Sequence, residues 1–223
     1  MPEPETLVSD FELSIINAVK TVFPHSNIRL CFFHLGQSVY RKVQESGLQV
    51  AYANPDDREI KNGVHMLLSL AFVPVEDLEI GHSTTCRKTW WRSWTPYEPA
   101  DWNQYIAAQH GEQRTNNLCE AWHRRFNAVV GKAHPSFYSL LRDIKKEQAT
   151  TGTLIVEIDL GRSVREPQRK KYKDVTDRLQ RIVLRYEQYK NDDDVNGFPR
   201  HCGHQFTLIN FLGERHFRQN WSK

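Results

Sequence analysis

Four polar residues with directional side chains fall on one narrow side of the segment RTNNLCEAWHRRFN, residues 114–127. On a helix of 100° per residue with Asn116 at zero, Glu120, His123 and Asn127 lie at about 40°, 340° and 20°. The apolar residues fall on the opposite side and are Leu118, Trp122, Phe126 and Val129. A face of two amides, one carboxylate and one imidazole is unlike the Lys, Glu and Gln mixture of an ordinary surface helix. It predicts a helix with a binding or catalytic face.

A second carboxylate, Asp10, follows a short apolar run at Leu7 and Val8 that we interpret as a β-strand. A carboxylate at the end of a strand projects into the crevice where α/β proteins bind ligands. Asp10 and Glu120 are 110 positions apart (120 − 10), so only the fold can bring them together. Two converging carboxylates would supply the hard oxygen ligands of a divalent-metal phosphoryl-transfer site. The alternative is that Asp10 simply caps the helix that follows.

The elements around Asp10 predict an α/β unit. Helical spacing of the apolar residues Phe11, Ile15, Ala18, Val19 and Val22 predicts a helix. The nearly continuous apolar run NIRLCFFH predicts a buried strand, and Leu35, Val39 and Val43 predict a second helix that ends at Gly47. The order strand, helix, strand, helix favours parallel pairing of the strands.

The rest of the chain is predicted to be mostly helical. Residues 114–150 comprise the polar-faced helix and a following helix that begins after Pro135. From residue 162 to 190 there are ten Lys and Arg against four Asp and Glu, a local charge of +6 (10 − 4). We predict five regions: a partial α/β unit at 5–54, a helical insertion at 55–113, helices completing the core at 114–150, a basic helical extension at 151–196, and an irregular tail at 197–223.

Composition excludes several classes of protein. The 223 residues carry a formal net charge of only +3, which excludes a histone-like polycation but allows a local basic face. Four scattered cysteines and no signal peptide argue against a disulfide scaffold. No apolar run approaches the length that spans a membrane. We expect a soluble intracellular protein.

Three ordered blocks of sequence resemble a known family. SDFELSIINAVKTVFPHSNIRLCFFHLGQSVYRKVQESGL, then RTNNLCEAWHRRFN, then HPSFYSLLRDIKKEQ are similar to the transposase domain of Mutator-like elements (MULE). The resemblance covers roughly residues 5 to 150. It implies a helix-rich α/β fold with a partial ribonuclease H-like core, few strands and an all-helical insertion.

The resemblance also implies roles for particular residues. Members of this family cut and join DNA with an Asp, Asp, Glu triad that holds Mg²⁺ or Mn²⁺, and Asp10 and Glu120 match the second Asp and the Glu. Cys31 and His34 match a Cys-x-x-His pair, and the remaining signature positions are Asn116, Asn117 and His123. Only nine residues precede Asp10, so we expect the first Asp of the triad to be absent, the chain to be truncated, and its catalysis to be impaired.

Two functional interpretations stand beside an impaired transposase. The chain is either a non-catalytic DNA-binding or regulatory module, or a non-functional fragment of a longer transposase. All of these imply DNA as the partner and, by resemblance, the nucleus as the location, with no membrane association. Self-association is left open.

Several residues have a plain structural alternative. Cys31, His34 and His123 would give zinc three ligands, but a buried thiol and a hydrogen-bonded imidazole explain the first two equally well. Asn116 and Asn117 also suit the capping of a helix. Trp90, Trp91, Trp94 and Trp102 would stack on bases, although we favour their packing in the insertion's own core.

Basic residues in two places suit contacts with phosphates. The first pair is Arg124 and Arg125, and the second group is the RKKYK run with Arg169, Lys170 and Lys171. A solvated helix face is the alternative for the second group. Nothing in either group predicts recognition of particular bases.

Overall fold

The computed structural model describes residues 3–78, 93–164, 170–192 and 197–209, without the side chains of 118, 171, 172 and 206–209. The chain divides into two compact units. Unit 1 comprises residues 1–115 and 170–223, and unit 2 comprises residues 116–169. No helix within the described ranges is long and apolar enough to cross a bilayer.

Unit 1 opens with the predicted strand–helix–strand order. Strand β1 (Thr6–Ser9) is followed by helix α1 (Leu13–Val22) and strand β2 (Asn27–Leu30). The strands pair in parallel with Thr6 opposite Asn27 and Ser9 opposite Leu30, which confirms the predicted pairing. These two strands form the whole sheet within the described residues, so the ribonuclease H-like core remains a prediction.

The second strand is shorter than the run NIRLCFFH predicted. It ends at Leu30, Cys31 has extended backbone, and helix α2 (Phe32–Glu45) begins at once. The reason is that the backbone N–H of Phe32 donates to the carbonyl of Arg114, 2.9 Å away, rather than to a strand. Phe32 then joins the buried helical series that continues with Leu35, Val39 and Val43. The predicted helix is confirmed, and it begins three residues earlier than expected.

Helix α1 is present as predicted, and most of its apolar residues are exposed. Ile16 is its one buried residue, at 4% exposure, whereas Val22 is 65% exposed and Ile15 is 41% exposed. A two-stranded sheet is too narrow to cover a full apolar stripe. Only the side of α1 that carries Ile16 reaches the core.

The described residues of the predicted insertion, 55–78 and 93–113, are largely helical and supply much of the core. A short helix, α3 (Gln49–Ala53), precedes them. The elements of the insertion are α4 (Glu59–Ser69), 3-10 turns at Leu70–Phe72 and Val75–Asp77, α5 (Pro99–Trp102) and α6 (Tyr105–Gln109). Val64, Leu68, Ala71, Phe72 and Trp102 from these elements are buried with the apolar side of α2. Insertion and α/β unit therefore share one core.

The carboxyl-terminal part of unit 1 completes that core. It comprises α9 (Lys170–Val183), α10 (Tyr186–Asn191) and α11 (Gly197–Ile209). Part of the tail expected to be irregular is helical, because Phe198, Cys202 and Gln205 follow helical spacing and are buried. Gly203 lets α11 approach α4, since a Cβ there would lie 3.2 Å from the backbone of His65.

Unit 2 is a hairpin of two helices, α7 (Asn117–Val130) and α8 (Phe137–Asp159). Gly131 ends α7 with φ of 68°, a left-handed conformation that favours glycine. Ser136 begins α8, and its hydroxyl accepts a hydrogen bond from the N–H of Ser139 at 3.4 Å. Both predicted helices are confirmed, and α8 extends eleven residues beyond the expected end at Gln148.

Candidate functional site

The carboxyl ends of both strands lie at one edge of unit 1. The N–H of Cys31 donates to the carbonyl of Ser9 at 2.7 Å, and Phe32 donates to Arg114 at 2.9 Å. These two bonds join three parts of unit 1 at this edge: the end of β1, the start of α2 and the segment around Arg114. Asp10, directly after Ser9, lies at this edge.

Asp10 is half-buried and one of its oxygens has a local partner. Its Oδ1 accepts a hydrogen bond of 3.2 Å from the N–H of Glu12, the residue that precedes α1. The second oxygen, Oδ2, has no hydrogen-bond partner among the described residues. One oxygen of Asp10 therefore does what the structural alternative expected, which is to bind the backbone just before α1. The other oxygen stays available to a ligand.

Tyr97 is a neighbour of Asp10 that the sequence did not indicate. Its hydroxyl donates to the carbonyl of Phe11 at 3.0 Å, and the two rings meet edge to face with centroids 5.4 Å apart. Burial, followed by the negative charges of Asp101 and Asp10, raises the pKa of Tyr97. Tyr97 thus fixes the backbone directly after Asp10 and stays protonated near neutral pH.

Two arginines that the sequence analysis passed over bring positive charge to this edge. Arg29 of β2 donates to Glu112 and to the carbonyl of Gln113, each at 2.9 Å. Arg114 donates to the hydroxyl of Thr176 at 3.3 Å. Burial, with the charge of Arg29, lowers the pKa of Arg114 to about 10. Arg114 therefore still carries its charge near neutral pH, while Glu112 pairs with Arg29.

The zinc hypothesis gains no support from the described residues. Cys31 is fully buried at the position before α2, and His34 lies in the first turn of that helix. No group of three His, Cys, Asp or Glu side chains that could hold a metal occurs in the described ranges. Cys31 and His34 by themselves supply two of the four ligands that structural zinc sites usually have.

In unit 2, the start of α7 carries the predicted polar residues. Asn116 takes the position before the helix, although its side chain makes no capping hydrogen bond, and Asn117 is the exposed first residue. Glu120 lies half-buried in the first turn, where the helix dipole favours a negative charge. No described side chain forms a hydrogen bond or ion pair with its carboxylate. Glu120 is thus available to a ligand.

His123 has a neighbour that the helical spacing alone would have revealed. The Sγ atom of Cys119 lies 4.0 Å from Nδ1 of His123, one turn along α7, and both side chains are exposed. The ring of Trp122 also meets that of His123 edge to face. His123 therefore pairs with Cys119, a partner that the sequence interpretation had overlooked.

The adjacent arginines of α7 differ in their partners. Arg125 donates through both terminal nitrogens to the two carboxylate oxygens of Glu147 on α8, which also accepts from the indole N–H of Trp122 at 2.8 Å. The hydrogen bond from Arg125 and then that from Trp122 lower the pKa of Glu147. Arg124 is exposed and forms no hydrogen bond or ion pair with another described side chain. Of these two arginines, Arg124 is the one whose charge is not offset.

The beginning of the chain is similar to one known protein family. Residues 1–38, the MULE segment, match the family model of the MULE transposase domain. No curated protein and no solved structure matches the chain.

This MULE segment, residues 1–38, contains Asp10, Cys31 and His34, and it spans β1, α1, β2 and the first turns of α2. Glu120 and the other polar residues of α7 lie outside it. Their proposed roles depend on the resemblance of their own motif.

The remaining candidates outside the MULE segment are either packed in the core or exposed to solvent. Trp102 is fully buried and Trp94 packs against the core, as favoured for the tryptophans, while Trp90 and Trp91 lie outside the described residues. Lys170 is the exposed first residue of α9. Arg169 and the side chain of Lys171 also lie outside the described part.

Proposed function

We propose that this chain is a transposase-derived DNA-binding protein in which Asp10 and Glu120 share a divalent-metal site for DNA strand cleavage and transfer. The observation that carries the proposal is the position of Asp10: it follows β1 inside the MULE segment, at the carboxyl edge of a parallel strand pair. This edge is where α/β folds bind ligands. A nuclear location follows from the same proposal.

Chain connectivity supports the pairing of the two carboxylates. Arg114 is held at the strand edge by its hydrogen bond with Phe32, and Glu120 follows it by six residues (120 − 114). Six residues span at most about 20 Å even when fully extended. The sequence separation of 110 between Asp10 and Glu120 is therefore no obstacle to a common site.

The donor chemistry fits Mg²⁺ or Mn²⁺, whereas the number of ligands does not complete a site. Carboxylate oxygens are the ligands these cations prefer, and bound cations stabilise charge on a phosphate undergoing transfer. No group of three or more His, Cys, Asp or Glu side chains that could hold a metal occurs among the described residues. Asp10 would contribute one oxygen to a cation, and Glu120 would contribute its carboxylate. Because these ligands are few, we expect weak cleavage by residues 1–223.

Binding of the DNA backbone is assigned to the uncompensated basic groups. Arg124 on α7 and Lys170 on α9 are exposed, and Arg114, whose side-chain partner is the uncharged hydroxyl of Thr176, adds charge to the edge near Asp10. Contacts of this kind attract phosphates without reading sequence, so their affinity falls with salt.

Adjacent arginines provide a matched test of DNA binding by fluorescence anisotropy on a labelled duplex. Arg124→Ala is expected to weaken binding about equally for all sequences and to reduce the salt slope by about one. Arg125→Ala is the control, since Glu147 already offsets that charge. Equal effects of the two substitutions, or binding that does not change with salt, would contradict the assignment.

A non-catalytic DNA-binding module is the second candidate, favoured by the hydrogen bond from Glu12 to Asp10. That bond gives Asp10 a sufficient structural task. A plasmid-nicking assay with Mn²⁺ separates the candidates. Residual nicking that Asp10→Asn and Glu120→Gln each abolish, with Glu12→Gln as control, supports catalysis; DNA binding without any such nicking supports the module.

A further inference from the structure

Helix α8 presents an uncovered stripe along its whole length. Residues at spacings of 4, 3, 4, 4, 3 and 4 fall within about 80° of one another on the helix. They are Phe137, Leu141, Ile144, Gln148, Gly152, Ile155 and Asp159. Each is exposed, including Phe137 at 72%, Ile144 at 46% and Ile155 at 54%. Large exposed apolar patches of this kind mark interaction sites.

This stripe lies beside the contact with α7. The face toward α7 is marked by Glu147, which binds Trp122 and Arg125. On the helical wheel Glu147 lies about 80° to 100° away from the centre of the stripe. Formation of the hairpin therefore leaves the stripe uncovered.

The stripe is complementary to itself when reversed. Its spacing reads the same in both directions about Gln148, so an antiparallel copy places Leu141 opposite Ile155 and Ile144 opposite Gly152. The bulk of Ile144 then meets the space left by a glycine that has no neighbour within 4 Å. Gln148 meets its own copy, and an amide can both donate to and accept from a second amide. Such a central polar pair fixes register in helix pairs.

The net charges of the two ends of α8 favour the same orientation. The first half carries three basic residues, Arg142, Lys145 and Lys146, against Asp143 and Glu147, a net charge of +1 (3 − 2). Asp143 lies within 3.7 Å of Arg142 and Lys146, and Lys145 has no ion pair in the described structure. The last third carries Glu157 and Asp159 and no Lys or Arg, although Arg162, just beyond the helix, pairs with Glu157. Antiparallel pairing sets each basic half near the acidic end of the other copy. It also brings Asp159 to the start of the second helix, whose dipole attracts negative charge.

We propose that a second copy of this chain covers the stripe, with two α8 helices packed antiparallel about a twofold axis at Gln148. Every contact then occurs twice, as in other isologous interfaces. The 23 residues of α8 give a seam of about 34 Å. This interface is independent of the proposed function, since it uses neither Asp10 nor Glu120.

Adjacent residues of equal exposure provide the first test. Ile155 is 54% exposed on the stripe, and Val156 is 56% exposed about 100° away. Sedimentation velocity on the full chain at about 50 µM should give a dimer of 52.4 kDa (2 × 26.2). Ile155→Glu should shift it to the monomer, while Val156→Glu should leave the dimer. A monomeric wild type, or equal behaviour of the two variants, would overturn the proposal.

Disulfide cross-linking tests the orientation without depending on a disruptive substitution. In a background without Cys86 and Cys119, chains with Leu141→Cys are mixed with chains with Ile155→Cys and oxidised. Antiparallel packing predicts a cross-linked heterodimer in the mixture and almost none from either chain alone. Cross-linking of the Leu141→Cys chains with themselves, or none in the mixture, would refute antiparallel α8 pairing.

Discussion

Substitution of Gln104 should destabilise the strand edge that carries Asp10. This side chain is fully buried, and its Nε2 donates to the carbonyl of Leu30 at 2.8 Å and of Trp102 at 3.1 Å. Leu30 is the last residue of β2, so Gln104 occupies the place of a further strand. Its Oε1 is buried with no hydrogen-bond partner in the described structure.

These contacts set the size of the expected loss for Gln104→Leu. Two buried carbonyls would each lose a donor, at about 1–3 kcal/mol apiece, while removal of the unsatisfied Oε1 would recover about 1–3 kcal/mol. The net cost is about 2 kcal/mol. It corresponds to a fall of about 4–8 °C in the melting temperature of a domain of this size.

Gln104→Glu should cost more near neutral pH than Gln104→Leu does. The introduced carboxylate would face two carbonyl oxygens, and burial would raise its pKa above the unfolded value. Because the folded state then binds the proton more tightly, stability is retained in acid and is lost as pH rises through the range between the two pKa values.

Urea unfolding at pH 5 and 7 measures both variants, with the exposed Gln188→Leu as control. A Gln104→Leu protein as stable as the wild type, or a Gln104→Glu protein that gains stability as pH rises, would refute the role assigned to this amide.

Three further predictions concern His65, two glycines and Glu147. Burial, then the charge of Lys61, lowers the pKa of His65 from 6.5 to about 4. As the pH falls, the unfolded chain therefore takes up the proton first, and the free energy of unfolding should fall by up to about 3 kcal/mol between pH 6.5 and 4. The urea midpoint of the His65→Leu variant should fall less over this pH range than that of the wild type. Gly203→Ala should lower stability by about 1–3 kcal/mol because its Cβ would meet the backbone of His65, whereas Gly63→Ala, with no neighbour within 4 Å, should raise it by up to about 1 kcal/mol in the same unfolding assay. Glu147→Gln should free Arg125 to bind phosphate, raising DNA affinity at low salt and steepening the salt dependence; unchanged anisotropy curves would argue against it.

Local patterns predicted the elements better than they predicted which face is buried. The spacing of Leu35, Val39 and Val43 predicted α2 because those residues meet a core on one side. The same kind of spacing predicted α1 but not that Ile16 is its buried residue, since the number of strands beside it decides how much of its surface is covered. The chain after residue 196 was expected to be irregular, yet α11 forms because α4 offers it a surface.

The candidate site shows the same limit. The position of Asp10 after a strand followed from the run Leu7 and Val8, a local signal. The hydrogen bonds of Gln104 and Arg114 join residues more than 60 positions apart, and no spacing rule reveals such pairs. The pairing of Cys119 with His123 was readable as one helical turn and was overlooked.

Calorimetric titration of Mn²⁺ into the full chain tests the shared site of Asp10 and Glu120 most directly. The wild type, Asp10→Asn, Glu120→Gln and the double variant are compared, with Asp177→Asn as control. A shared cation predicts that either substitution alone removes the binding and that the double variant loses nothing more. Binding retained in both single variants, or losses that simply add, would contradict the account.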